Sequence, residues 1–506
     1  MADRTTFITD IERDYPDYLR DESRRAGRAD SISFPRTEKE LKDHLAVLHG
    51  LERPVTIQGA RTGVTGGAVP EGGHILNLSR MDRILDLRHE ASSNLSYITV
   101  QPGVPLSEVQ EKVKEFRAGG AYFFPPDVTE NSATIGGMAA CNASGAGSFF
   151  YGPTREFVER LRVVLADGSV LDLKRGDQKA DNRSFSLVTD TGRVIAGELP
   201  SYRMPEVKNS CGYFARDNMD LVDLFIGSEG TLGIISEIEL RLIPAPAARW
   251  VTMAFFPSEE TSLSFVKTIR RGAQHLVAIE FFGHRGLDLF RRHKKDIPAF
   301  KETPEMPPEW HTAVYLEFHA ESEEAVENAC MDMSRIMEEC GGDPDAIWAA
   351  SNERDIERLK DFRHAVPEAV NTLIDERRKK TPRLTKLGTD MAVPDSMLGD
   401  VISLYHAGLA EAGLEYVIFG HIGNNHLHVN ILPNSLEEYE RGKQLYLEWA
   451  QEVIKMGGTV SAEHGIGKLK IPFLRKMYGD EGIRQMQKVK ALFDPDNILN
   501  RGNLFI

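Results

Sequence analysis

Gly59 to Pro70 reads GARTGVTGGAVP, placed directly after PVTIQ (54–58) and just before HILNL (74–78). Glycines leave the backbone bare, so several N–H groups can approach and cradle a phosphate. A dinucleotide fold of the Rossmann type needs GxGxxG opening a helix directly after the strand. Here Pro70 and a second strand follow, so the loop is expected to hold a phosphate through backbone N–H groups alone. Taken by itself the stretch is equally a surface turn. Two further segments tip the balance: PPDVTENSATIGGMAACNASGAG (125–147) and DLFIGSEGTLGIISEIEL (223–240). Glycine this dense costs backbone entropy that a mere connection does not require. Three such segments in one region predict a large, flat, phosphate-bearing ligand.

Working outward, SISFP (31–35) reads as a strand. Thr37 with Glu40 forms a capping box for a helix that carries Leu41, Leu45 and Leu48 and ends at Gly50. Short strands and glycine turns then dominate up to Pro244, and PAPAARW (244–250) reads as a domain boundary. Beyond it, strands alternate with charged helices, among them 323–342 and 351–380. At 506 residues the chain predicts two or three domains. A formal net charge of -15 argues against a nucleic-acid or anionic-membrane binder. The four cysteines are scattered without a CxxC pair, which excludes a recognisable iron–sulfur or zinc–cysteine site and suggests a reducing compartment. The polar, acidic start MADRTTFITDIERDYPDY does not read as a secretory signal, and no apolar run is long enough to span a bilayer. The expectation is a cytoplasmic protein, with a peripheral place at the inner membrane face left open.

FGHIGNNHLHVN (419–430) puts three histidines into eight residues. On a helix, His421 and His428 would stand roughly 10 Å apart, too far for one ion. A hairpin brings them together instead. EYVIFGHI is apolar and β-branched, HLHVNIL alternates, and Asn424-Asn425 suits a two-residue turn that sets His421 opposite His428. Cross-strand neighbours lie about 5 Å apart, so both imidazoles could reach one ion. The bland alternative is a solvated polar face on an edge hairpin. GGTVSAEHGIGK (457–468) favours the metal reading, because a helix capped by Ser435 and Glu438 and ended by Gly457-Gly458 returns the chain beside the hairpin. Glu463 then completes a His–His–Glu set with an open position, suited to a zinc, manganese, cobalt or ferrous ion.

These segments closely resemble the FAD-binding domain of the vanillyl-alcohol oxidase and p-cresol methylhydroxylase superfamily. Within it, the chain resembles the branch of FAD-linked D-lactate, glycolate and D-2-hydroxyglutarate dehydrogenases, from about Asp17 to Phe505. The resemblance implies an α+β fold. A two-subdomain FAD-binding domain (1–245) precedes a ferredoxin-like substrate or cap domain (246–456), and a C-terminal segment (457–506) returns to the flavin. It implies pyrophosphate contacts from Gly59, Ala60, Arg61, Thr62, Gly63, Thr65, Gly66 and Gly67. Pro126, Asp127, Thr134, Gly136, Gly137 and Asn142 are implied to line the flavin, Gly230 and Ile235 the adenine end, and Asn500 the ring. Relatives that attach FAD covalently often carry a histidine where Thr62 stands, so non-covalent FAD is expected. The GHxGDGNLH and SAEHGIG segments of metal-bearing members match at both outer histidines, Glu463 and His464, while His426 replaces an asparagine.

The chemistry implied is oxidation of a D-2-hydroxy acid such as D-lactate. A chelated divalent ion acidifies the hydroxyl, His464 accepts its proton, and the hydride goes to the flavin. Arg363 matches the family's substrate arginine, which holds a carboxylate; Lys386 is the matching lysine, and a helix-surface salt bridge is the bland reading of Arg363. No haem, cysteine-cluster or nicotinamide signature occurs, so electrons must leave to an external quinone, electron-transfer flavoprotein, cytochrome or iron–sulfur protein. A homodimer is left open. Three alternatives stand beside this reading: a flavoprotein of the alkyl-dihydroxyacetone-phosphate synthase type, a non-catalytic flavin subunit, and a metal-dependent hydrolase. D-2-hydroxyglutarate or glycolate remain alternative substrates.

Overall fold

Three large sheets and a two-stranded one, Ser184–Val188 with Val194–Glu198, organise the computed structural model, which describes residues 9–294 and 305–505. In the first, Ser31–Ser33, His74–Asn77 and Val55–Gln58 run parallel, with Thr9–Asp10 antiparallel at one edge. The helix Glu38–Gly50 packs on it. Thr37 Oγ1 accepts from Glu40 N at 3.1 Å, which satisfies one of the helix's free N–H groups. Leu41, Leu45 and Leu48 recur on one helical face and are fully buried with Val55 and Leu76. Each buried leucine stabilises the fold by about 1.5–3 kcal/mol relative to exposure.

The second sheet is antiparallel, with spatial order Ile84–Glu90, Leu95–Val100, Ile234–Pro244, Val158–Val164 and Val170–Lys174; Tyr122–Phe123 also pairs with Ile234–Pro244. Ile234, Val164 and Val170 share a core with the first sheet. The first glycine loop therefore leaves Val55–Gln58 close to where residues 228–233 enter the long strand Ile234–Pro244.

The third sheet has eight strands, all antiparallel. Ala248–Phe256, Leu276–Phe282, Thr312–Ala320 and Ile347–Ala350 stand in the order fourth, first, third, second. Helices Glu259–Gly272 and Glu323–Glu339 follow the first and third of them. This is the expected ferredoxin-like arrangement. The hairpin Tyr416–His421 and His426–Ile431 extends the sheet from the edge of Leu276–Phe282, and Leu387–Gly388 and Met391–Ala392 pair with its outer strand.

The hairpin register departs from the expected one. His421 pairs with His426, and His428 pairs with Phe419. A two-residue hairpin turn needs positive φ at its first central residue, and in the type I′ form at both. Only Asn425 has it (φ 51°), while Ile422–Asn424 winds into a 3₁₀ turn. The connection is thus four residues long, and the opposing partner shifts by two. After the hairpin, Ser435 Oγ accepts from Glu438 N at 3.1 Å and Glu438 Oε2 accepts from Asn434 N at 2.7 Å. The helix Leu436–Lys455 so capped leads to Gly457 (φ 81°), and Thr459 bridges to Ala392. That contact lays Ser461–Gly467 beside the histidines. Among the described residues, no helix is long and apolar enough to cross a membrane.

Candidate functional site

One cavity of about 360 Å³ joins the glycine loops to the histidine hairpin. It is lined by Gly59, Ala60, Arg61, Thr62, Gly63, Thr65 and Gly67 from the first loop, and by Thr134, Gly136 and Gly137 from the second. Gly230, Ile235 and Asn500 add to the wall, and His421, Glu463 and His464 stand at it as well. The walls are cut to the bare backbone. A Cβ on Gly59 would meet Thr134 Oγ1 at 2.3 Å, and one on Gly136 would meet Pro102 Cβ at 2.5 Å. The Arg61 guanidinium is engaged elsewhere, donating to Asp17 O and lying 4.2 Å over the Tyr18 ring. Asn500 uses its amide to tie the wall together. Its Oδ1 accepts from Ile57 N at 2.7 Å and its Nδ2 donates to Glu229 O at 2.7 Å.

Gly66, Pro126, Asp127, Asn142, Arg363, Lys386 and His428 do not line this cavity. Gly66 makes a left-handed turn inside the first loop (φ 75°). Asn142 caps the helix Ile135–Cys141 in the left-handed region, and its Oδ1 accepts from Arg155 N at 3.0 Å. Asp127 lies 4.0 Å from Arg363. Lys386 sits beside the outermost strand, with Arg24 as its nearest perturbing charge; burial first, and then Arg24, push its pKa down to about 8.

Around Glu463 the side chains form a tight polar cluster. His421 Nε2 lies 3.3 Å from Glu463 Oε1, and His428 Nε2 lies 3.6 Å from the same oxygen. The far nitrogens are held from behind, His421 Nδ1 by Glu280 Oε1 at 2.6 Å and His428 Nδ1 by Thr389 O at 2.9 Å. Such outer contacts fix tautomer and ring orientation in metal sites. Lys208 Nζ donates to Glu463 Oε2 at 2.6 Å and leaves Oε1 toward the histidines. Burial would lower the pKa of His421, but the facing Glu280 carboxylate outweighs it and raises it to about 9. Gly420 permits the close packing, since its φ is 130° and a Cβ there would meet His428 Cδ2 at 2.8 Å. The ligand atoms of His421, His426, His428 and Glu463 all fall within 4.8 Å of one another. Two nitrogens and a carboxylate on one side of a cavity fit a divalent ion of the zinc or manganese kind.

His464 stacks on His428 with ring centroids 5.5 Å apart, and a third of its side-chain surface (35%) opens to the cavity. Burial depresses its pKa to about 4, so the ring is neutral near pH 7. Arg363 is buried, with 7% exposure, and its Nε has no hydrogen-bond partner. Glu280, which holds His421, is among the charges acting on it. The guanidinium is a buried cation without a bidentate carboxylate, a costly arrangement that an incoming anion would relieve.

Asp390, Glu280, Lys208 and His426 escape a motif-by-motif reading. Asp390 is almost fully buried. It accepts from Lys470 Nζ at 2.5 Å, Ser461 Oγ at 2.8 Å, Glu463 N at 3.2 Å and His464 N at 3.1 Å, so it sets the backbone that carries both site residues. Only His426 leaves a signal in the sequence, as the middle of the three histidines.

Comparison with known proteins gives the cavity its context. Residues 29–174 match the model of the FAD binding domain, and residues 245–504 match that of the C-terminal domain of FAD linked oxidases. The chain belongs to the FAD linked oxidases. It is 30% identical to the probable mitochondrial D-lactate dehydrogenase of Danio rerio, over 96% of this chain and 86% of that one. It is 28% identical to the glycolate oxidase subunit GlcD of Bacillus subtilis, over 94% and 89%. It is 30% identical to the D-2-hydroxyglutarate dehydrogenase of Xanthomonas citri, over 94% and 89%. Among solved structures, p-cresol methylhydroxylase with substrate bound superposes with a TM-score of 0.68 at 15% identity, over 99% of this chain and 94% of that one. Alkyldihydroxyacetonephosphate synthase gives 0.63 at 16%, over 94% and 76%. These likenesses carry the shared fold. Both glycine loops that line the cavity fall within the stretch matched by the FAD binding domain model.

Proposed function

We propose that this FAD linked oxidase converts a D-2-hydroxy acid, D-lactate or one of similar size, to the 2-oxo acid and passes the electrons to an external acceptor. The observation that carries the proposal is the single cavity that the FAD-cradling loops share with His421, Glu463 and His464. In this division of labour residues 1–245 hold FAD without a covalent bond, 246–456 carry the substrate side, and 457–506 close the site.

FAD, when bound, supplies the acceptor for the substrate's hydride, and a divalent ion, when bound, supplies charge that acidifies the hydroxyl. Everything else falls to the chain. His421, His428 and Glu463 would hold the ion. His464 Nδ1 lies 3.5 Å from Asp390 Oδ2 and Nε2 lies 3.4 Å from Glu463 Oε1. We assign the ring proton to Nδ1, against the Asp390 carboxylate, which leaves the Nε2 lone pair facing the ion's ligands to take the hydroxyl proton. Arg363 binds the carboxylate and fixes the carbon whose hydrogen leaves. The substrate thus loses one proton and one hydride as its C–O bond becomes double. Neither Arg363 nor Lys386 lines the cavity, but Arg363 feels the Glu280 carboxylate that holds His421, whereas the charge acting on Lys386 is Arg24, which favours Arg363 for the near end of the substrate.

The test is anaerobic mixing of the yellow enzyme with paired enantiomers of lactate, 2-hydroxybutyrate, 2-hydroxyglutarate and malate, and with glycolate. Flavin bleaching by a D acid, with its L partner inert, is expected. A flavin left oxidised by every acid while the metal is bound would overturn the reading.

A further inference from the structure

His426 stands outside the three-ligand set. It is fully buried, and its ring centroid lies 4.4 Å from that of His428 and 5.4 Å from that of His421. Three imidazoles face Glu463 in the same way. His421 and His428 each turn one nitrogen toward it and rest the other on an oxygen behind, Glu280 or Thr389. His426 repeats the pattern: Nδ1 points to Glu463 Oε2 at 3.8 Å, and Nε2 lies 2.9 Å from Asp390 Oδ1. That last contact is close but not aligned as a hydrogen bond, and Nδ1 has no hydrogen-bond partner at all. A fully buried imidazole with an idle lone pair costs free energy unless something occupies it. The position it faces is the one its two neighbours surround.

We propose that His426 is a fourth protein ligand of the divalent ion, with Asp390 as the carboxylate that orients it. The proposal rests on the metal reading above and deepens it. Asp390 then serves both halves of the site at once. Through the N–H groups of Glu463 and His464 it sets the loop that brings the carboxylate ligand, and through Nε2 it aims the third imidazole. A three-histidine, one-glutamate set changes what the ion can do. A four-coordinate ion is saturated by protein and has no position left for substrate. A six-coordinate ion keeps two positions, matching the hydroxyl and carboxylate oxygens of a 2-hydroxy acid.

The test titrates Mn²⁺ into the chelator-stripped, flavin-loaded full chain and reads free Mn²⁺ from its EPR signal. Wild type is expected to bind one ion. His426→Asn should bind it about 10–100-fold more weakly, with flavin content and melting temperature retained. Pulsed EPR of the wild-type complex should detect three coordinated imidazole nitrogens, a readout that needs no variant. Equal Mn²⁺ affinity in wild type and H426N, or two imidazole nitrogens in the wild type, overturns the four-ligand proposal and leaves the three-ligand reading in place. No Mn²⁺ bound by wild type overturns both.

Discussion

His74 and His426 are each buried completely, one in the parallel sheet of the FAD-binding half and one in the hairpin of the other half. The sequence around His74 has already met its needs. Ser31 Oγ lies 2.8 Å from Nδ1 and Ser33 Oγ lies 2.7 Å from Nε2. Both serines come from the neighbouring parallel strand, where alternate residues share a face, so two hydroxyls bracket one ring. A neutral imidazole offers one donor and one acceptor, and a hydroxyl can answer either. Nothing in the described fold answers Nδ1 of His426. Burial is therefore the same at the two histidines, and the satisfaction of their nitrogens is what differs.

Three changes put this contrast at risk. The largest effect is expected from His428→Ala, which removes one of the proposed ligands on the hairpin. Losing the ion forfeits several kcal/mol of charge stabilisation, so flavin reduction by the hydroxy acid should slow by about 10³-fold or more. Elemental analysis should show the metal gone while the flavin stays. Next is Ser33→Ala in the other region. It strands Nε2 of His74 and should destabilise the fold by about 1–3 kcal/mol in denaturant titration, with metal content unchanged.

The smallest effect is a pH dependence at His74. Burial, helped by His44 and Arg53, pushes its pKa from 6.5 down to about 3. The unfolded chain takes up a proton below its ordinary pKa that the folded chain refuses until about 3. Stability is therefore unaffected by this group above that ordinary value and falls as pH drops through the window. One pH unit into it, the loss is about 1.4 kcal/mol. His74→Asn should flatten this part of the acid limb of the stability curve, and an unchanged limb would mean that His74 is not held neutral.

The features legible in the sequence are those written locally. The capping signals at Thr37 and Ser435 place two helices, because an N-cap is decided within four residues. The glycine segments are legible because close packing of one loop on the other demands glycine at the spot itself, as the contact of a Gly59 Cβ with Thr134 Oγ1 illustrates. The hairpin is legible as a hairpin but not in its register. Only Asn425 adopts the left-handed conformation, and Gly423 before it sits where a Cβ would meet Phe149 and Ile279, contacts remote in the chain. That two-residue shift is what puts His426 opposite His421. Glu280 and Asp390 are illegible because each meets its histidine or loop across more than 35 residues of chain. Carboxylates in such sequence positions look like any others. Lys386 stands out only by resemblance, and the strand beside it lies outside the cavity wall.

If one cavity couples FAD to a protein-held divalent ion around a 2-hydroxy acid, removing the ion alone must stop the flavin from being reduced. The experiment compares the same flavin-loaded enzyme before and after chelator treatment, mixed anaerobically with the D-hydroxy acid that bleaches it best. Fast bleaching is expected in the metal-loaded sample, none on the same timescale after stripping, and recovery when Mn²⁺ is returned, with the flavin bound throughout. A stripped enzyme that bleaches at the original rate would contradict the coupling.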